Sequence, residues 1–300
     1  MSKFLVLVVG VALCERSLSF VAAASPSALS PRVPPSVSGS MASTGEGQAA
    51  EATKWPEAGE LHAALCGCED AALRARIEAS LRVLEDAFRV FGADAVFASF
   101  NGGKDACVIL HLLRAARHAH AQKGGGGETP TPRLVYFDAS DDFDEVRRFV
   151  TATCAETDRR GDFLVEPMAC DVGFVKGLEA LVARSRPRPL AFVLGTRVGD
   201  PNCGDQKAFE PSSDWMPPFM RVNPILDWTY GDVWAFLRTF HIPYCSLYDD
   251  GYTSLGSVPT TTRNPALARG DGDAHAPAYL LEDWSLERAG RVDKKKKKAT

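Results

Sequence analysis

The 300-residue chain has no excess of positive charge: 34 Lys and Arg face 38 Asp and Glu, a formal net charge of −4. A general nucleic-acid surface needs the opposite balance, so that class of partner is set aside. The five lysines at 294–298 form a tail of the kind that is usually solvated. No apolar run reaches the roughly 20 residues that a membrane-spanning helix requires. The run at 4–13, FLVLVVGVAL, has only the length of a signal-peptide core. A disulfide framework is missing as well. Of eight cysteines, Cys14 lies in the leader, and the other seven (66, 68, 107, 154, 170, 203 and 245) are scattered and odd in number. Cys66-Gly67-Cys68 has no second ligand pair, which argues against zinc. This usage fits a reducing compartment. Six histidines form no constellation, so nothing supports a Ser-His-Asp mechanism.

What is present begins with a leader. Small residues follow the apolar run, and 25–45 carries seven serines, four prolines, one Arg and no acid. That composition is similar to a transit peptide. A signal followed by such a segment resembles the two-part plastid leader of algae with secondary plastids. Secretion, or a cytoplasmic form starting at Met41, are the other readings. The expected organisation is a leader at 1–45, a linker at 46–68, one catalytic domain at 69–291 and a basic tail at 292–300.

Within the domain, Leu73, Ile77, Leu81, Leu84 and Phe88 are spaced as on one face of a helix. The apolar run at 95–100 predicts a buried strand, and 106–117 a helix. Between them lies Asn101-Gly102-Gly103-Lys104-Asp105. Glycines let the backbone approach a ligand, and a helix N-terminus favours an anion, so this loop is a phosphate-site candidate. Strands at 133–138, 163–168 and 190–194 alternate with helices at 143–158 and 172–184. A glycine- and proline-rich loop is expected at 118–132. This alternation predicts an α/β fold: a doubly wound parallel sheet with helices on both faces and a C-terminal extension. Ligands of such sheets bind outside the carboxyl ends of the strands. The glycine loop, 138–142 and 195–200 all fall there. The last third is dense in aromatics, among them Trp228, Tyr230, Trp234, Tyr244, Tyr248 and Tyr252. They read as core packing or as the wall of a site for a flat ligand.

Several motifs stand in a fixed order: SFNGGKD at 99–105, GTRVGDP at 195–201, FMRVNPILDWTYGDVWAFL at 219–237, PYCSLYDDGYTSLG at 243–256, RNPAL at 263–267 and LLEDWSLERAGR at 280–291. Together they resemble the eukaryotic type of FAD synthase, an FMN adenylyltransferase of the PP-loop superfamily that also contains PAPS reductase. The resemblance implies transfer of AMP from ATP to FMN, giving FAD and pyrophosphate, with Mg²⁺ as cofactor and FMN and ATP as small-molecule substrates; a monomer is expected. It implies that Asn101, Gly102, Gly103 and Asp105 hold the β- and γ-phosphates of ATP, with Ser99, Phe100 and Lys104 in the same loop. Asp200 is the implied acid, acting through Mg²⁺, and Arg288 and Arg291 are the implied catalytic arginines. Arg197 and Arg221 are further phosphate-binding candidates. Asp227, Trp228, Tyr252, Ser254, Leu255 and Gly256 fall in blocks near the nucleotide and flavin. Two departures stand out: Ala106 occupies a position where most PP-loops have a hydroxyl or Cys, and 202–218 differs from the family pattern. A PAPS reductase-like redox enzyme would need a reactive Cys near the C-terminus, and none follows Cys245. A non-catalytic flavin- or nucleotide-binding module is the remaining alternative.

Overall fold

Strands buried on both faces read as unbroken apolar runs, and these runs form the middle of one sheet. The computed structural model describes residues 55–124, 130–137, 141–168, 174–201, 203–270 and 274–292. The leader, the tail from 293 and residues 138–140 of an expected site loop lie outside them. The strands are β1 Val96–Ser99, β2 Arg133–Phe137, β3 Leu164–Met168, β4 Ala191–Val193, β5 Phe209–Pro211 and β6 Met220–Val222. Their order is β3-β2-β1-β4-β6-β5; all neighbours are parallel except β5 and β6, which are antiparallel. Each edge strand carries a proline, Pro167 in β3 and Pro211 in β5.

Helices cover both faces. They are α1 Ala58–Cys66, α2 Ala71–Phe91, α3 Lys104–Lys123, α4 Asp144–Arg159, α5 Phe174–Ser185 and α6 Tyr230–Thr239. The two-residue alternation of a strand sorts the core. Val96 and Ala98 join the larger cluster with Leu84, Val108, Val150 and Val233, whereas Phe97 joins a smaller one with Phe192, Leu178 and Leu181 of α5. The doubly wound arrangement is therefore present. Its strand order reverses between β1 and β4, where the crossovers diverge and leave a crevice at the carboxyl ends. A short antiparallel pair, β7 Ala268–Arg269 and β8 Ala274–His275, lies in the C-terminal extension.

Three local expectations are corrected. Part of the span expected as linker is α1, whose Leu61 and Leu65 are buried. Glu57 and Glu60 form a reciprocal capping box at its start. In the span expected as loop, α3 runs on to Lys123, because His120 and Lys123 both reach Glu85 of α2, at 3.2 and 3.3 Å. In the divergent 202–218 segment, β5 extends the sheet by an antiparallel edge.

The start of the described chain is pinned to α3. The Arg114 side chain is fully enclosed; it meets Asp162 at 2.6 Å, donates to the Pro56 carbonyl at 2.9 Å and lies over Trp55. Its Nη1 is 3.1 Å from His111 Nδ1. Burial, then Arg114 and Arg160, hold the His111 pKa well below its ordinary value, so the folded chain keeps this imidazole neutral. The unfolded chain takes up a proton there below a pH of about 6.5, so this group stabilises the fold above that pH and the contribution is lost on acidification. Substituting His111→Gln, which keeps an acceptor for Arg114, is expected to flatten the fall of stability between pH 7.5 and 5 by about 1.4 kcal/mol per pH unit below 6.5. Parallel pH curves for the two proteins that show no difference in urea unfolding would refute this.

Candidate active site

The glycine loop leaves β1 in an extended path. The Phe100 N–H donates to the Val135 carbonyl at 2.9 Å, and its ring lies in the core against Phe149. Asn101 Oδ1 then accepts the Gly103 N–H at 3.0 Å, a side-chain-closed turn. Gly102 has φ 74°, and a Cβ there would lie 3.1 Å from Val150. Both facts call for glycine. Helix α3 begins at once, so its first N–H groups have no intrahelical partner. The Lys104 N–H donates to the Tyr248 hydroxyl at 2.8 Å. Those of Asp105 and Ala106 have no backbone acceptor among the described residues. Ala106 thus still supplies an N–H despite lacking a hydroxyl.

Beside this loop lies a network of five charges. Lys104 Nζ is 3.0 Å from Asp105 Oδ2 and 2.5 Å from Glu287 Oε1. Arg197, in the loop after β4, has Nη2 2.6 Å from the same Glu287 oxygen. Its Nε is 2.8 Å from Asp105 Oδ1, without the alignment of a hydrogen bond. The Arg197 N–H donates to Asp200 Oδ2 at 2.8 Å. Burial opposes ionisation of Asp105, but Lys104 and Arg197 outweigh it and hold the carboxyl below the usual range. Burial also disfavours the Arg197 charge, and Asp105 and Glu287 more than restore it. Asp200 goes the other way: burial raises its pKa, and Arg197 offsets this only in part.

Two arginines stand apart from that balance. Arg291 Nη1 donates to the Leu255 carbonyl at 2.6 Å, and the Nη1 atoms of Arg288 and Arg291 both lie 3.5 Å from the Ser254 hydroxyl. Neither has a carboxylate partner among the described residues. Burial and the neighbouring Arg288 depress the Arg291 pKa to about 10. A guanidinium stays charged at neutral pH, so this strain reads as demand for an anion. Arg288 lines a cavity of about 680 Å³ together with Arg197, Asp200, Asp227, Tyr230 and Trp284. The volume suits a nucleotide-sized ligand. Thr229 and Tyr230, at the start of α6, also line it, and a capping box between Thr229 and Asp232 closes that N-terminus.

The structure thus brings Asn101 to Asp105, Arg197, Asp200, Ser254 to Gly256, Arg288 and Arg291 to one end of the sheet, with Asp227 exposed at the cavity. Several expected residues have their polar groups taken up by protein partners. Lys104 is buried, with its ammonium on Asp105 and Glu287 and its N–H on Tyr248. Arg221 is buried at the β5–β6 edge, donating to the Pro211 carbonyl and the Ser213 hydroxyl. Trp228 borders the cavity, but its indole N–H donates to Ser80 and its ring packs edge-on against Phe236. Tyr252 packs edge-on against Phe143 of the loop after β2. Ser99 is buried at the end of β1. Two residues of the site carried no signal beyond their presence in a motif: Glu287, and Tyr248 in its aromatic run. Asn264 is a third; its amide donates to Thr253 and to the Leu286 carbonyl, tying the 253–256 loop to the arginine segment.

The family described as phosphoadenosine phosphosulfate reductase domain matches residues 174–263. A probable FAD synthase of Schizosaccharomyces pombe is 38% identical over 221 residues, 73% of this chain and 80% of that one. A probable FAD synthase of Caenorhabditis briggsae is 35% identical over 72% of this chain, which spans 40% of that relative's length. The crystal structure of Candida glabrata FMN adenylyltransferase with FMN and the ATP analogue AMPCPP superposes with a TM-score of 0.67 at 24% identity, covering 78% of this chain and 98% of that one; this likeness concerns the fold. With the sequence similarity spanning most of the fission-yeast protein, the chain belongs to the FAD synthase family.

Proposed function

We infer that this chain is an FMN adenylyltransferase that joins FMN and ATP into FAD and pyrophosphate. The observation that carries this reading is the pair Arg288 and Arg291, two neighbouring cations without a carboxylate partner among the described residues, of which Arg288 lines a nucleotide-sized cavity between the loops after β4 and β6. In the reaction a phosphate oxygen of FMN attacks the α-phosphorus of ATP in line. The new P–O bond forms as the bond to the pyrophosphate oxygen breaks. The attacking group is already an anion, so no strong general base is needed. The obstacle is bringing two anions together. The N–H groups of Asp105 and Ala106 receive phosphate oxygens, and Asn101 and Gly102 shape that turn. Arg288 and Arg291 carry the charge that grows on the transferred phosphoryl and the leaving pyrophosphate. Asp105 holds Arg197, and Arg197 holds Asp200, so the two loops keep one geometry.

Asp200 suits Mg²⁺: it is a single carboxylate with a raised pKa, which a cation would relieve. No group of three metal-ligating side chains stands among the described residues, so substrate phosphates would complete the coordination, as is usual for this ion. Bound there, Mg²⁺ would neutralise phosphate charge.

A redox role finds little support. Thiol chemistry needs the thiolate; burial raises the Cys154 pKa to about 12 and that of Cys245 to about 11, and the one exposed cysteine among the described residues, Cys66, lies at the end of α1 and does not line the cavity.

The purified chain, incubated with FMN, ATP and Mg²⁺, is expected to form FAD and pyrophosphate in equal amounts, read by chromatography of the flavins. FMN that is bound but not converted, with Mg²⁺ and Mn²⁺ both tried, would leave a flavin-binding module instead.

A further inference from the structure

We propose that Glu287 is a positioning residue: a single carboxylate that latches the arginine-bearing segment onto the phosphate loop and so aims Arg288 and Arg291 at the substrate. The proposal rests on the adenylyltransferase reading.

The latch joins three distant parts of the chain. One oxygen, Oε1, takes both Lys104 Nζ at 2.5 Å and Arg197 Nη2 at 2.6 Å. These two partners follow β1 and β4, Lys104 as the first residue of α3 and Arg197 in the loop after β4. Their side chains are 3% and 6% exposed and that of Glu287 is 16%, so solvent screens the contacts weakly. The backbone of the same segment is held independently: the Glu287 carbonyl accepts the Thr253 hydroxyl at 2.6 Å, and the Leu286 carbonyl accepts the Asn264 amide. Glu287 is followed directly by Arg288, and Arg291 comes one short turn later.

Charge counting explains why a carboxylate is needed at this point. Lys104 and Arg197 bring two positive charges, and Asp105 and Asp200 two negative ones. Without Glu287 the corner is neutral, and its two cations would have no carboxylate of the arginine-rich segment to hold. With Glu287 the corner carries one net negative charge, which the segment itself supplies. Both buried cations are then directed inward, and the anionic substrates meet Arg288 and Arg291 instead. The fold thus divides four cations into two that hold the segment and two that face the ligand. A long side chain that bonds two cations through one atom also fixes where its neighbours point, and a misplacement of about 1 Å can cost on the order of 100-fold in rate.

The test compares Glu287→Gln, Glu287→Asp, Lys104→Gln and the double variant of Lys104→Gln with Glu287→Gln, all in the full chain. Rates are taken at a temperature where circular dichroism finds each variant folded. Glu287→Gln is expected to lower kcat for FAD formation 10- to 100-fold while KM for FMN stays within 3-fold. Glu287→Asp, which keeps the charge, should recover at least 5-fold of that loss. The double variant, with the charge balance restored, should lose less than the product of the two single losses. Trypsin should nick after Arg288 or Arg291 several-fold faster in Glu287→Gln than in the parent chain, a readout that needs no catalysis. The latch is overturned by a Glu287→Gln variant with parental kcat and parental nicking, by Glu287→Asp as slow as Gln, or by a loss that falls only on KM. A parent chain that makes no FAD would strike at the adenylyltransferase reading itself, and the nicking comparison would then still decide whether Glu287 holds the segment.

Discussion

Arg291→Ala is expected to lose about 1,000-fold in kcat for FAD formation while unfolding at the parental temperature or slightly above it. Removing a donor aimed at developing charge costs on the order of 100- to 1,000-fold. Arg291 is a stronger case, because its charge is desolvated and uncompensated. The same fact makes the change harmless to the fold: burying a guanidinium without a carboxylate is unfavourable. The hydrogen bond lost at the Leu255 carbonyl offsets only part of that relief. Gly256→Ala is a quieter probe of the same atom. A Cβ at Gly256 would lie 2.2 Å from Arg291 Nη2, the far end of a flexible side chain. The guanidinium must swing aside, and kcat should fall about 10- to 100-fold with the fold intact. Steady-state rates and thermal unfolding on the two variants check both statements; Arg291→Ala with a rate within 3-fold of the parent would remove this residue from the chemistry.

The second large effect concerns stability. Asp162→Ala should destabilise the chain by about 3–5 kcal/mol, the range for stranding one member of a buried ion pair. Arg114 would keep His111 and the Pro56 carbonyl but lose its only counter-charge among the described residues. Replacing both partners with apolar residues, Arg114→Met with Asp162→Leu, should return most of the loss, since the penalty lies in the orphaned charge. Urea unfolding of the two proteins measures this. A single variant costing under about 1 kcal/mol would mean that water reaches Arg114.

The doubly wound sheet was legible because parallel strands are continuously apolar and the helices between them keep a 3.6-residue period. What escaped had weak local signals and strong tertiary support. Helix α1 is nine residues long, contains Gly59 and buries few side chains. Its place is held by Arg114 and Arg160, which reach Pro56, Glu57 and Trp55 from elsewhere in the chain. β5 is Phe209-Glu210-Pro211, three residues that no strand pattern would single out. Within the site, the motif positions were legible but the direction of each side chain was not. Lys104 beside two glycines suggested a phosphate ligand, yet the nearest charges in space are Asp105 and Glu287, and the latter is 183 residues away. Trp228 suggested a flavin wall, while Ser80 of α2 holds its N–H. The aromatic run divides in the same way. Trp234 meets Tyr230, Tyr244, Tyr248 and Tyr279 edge-on as core, so core packing explains most of that density.

The prolines at both margins of the sheet have one more consequence. A margin strand normally offers a row of N–H and C=O groups that a strand from another chain can zip onto. Pro167 and Pro211 interrupt that row on either side, in strands of five and three residues. Growth of the sheet by lateral recruitment is therefore blocked at both flanks. While the chain is being made and its central strands are still finding their order, these flanks are poor templates for amyloid-like stacking. The divergent segment that carries β5 thus acts as a hem, keeping the fabric from being extended by a neighbour.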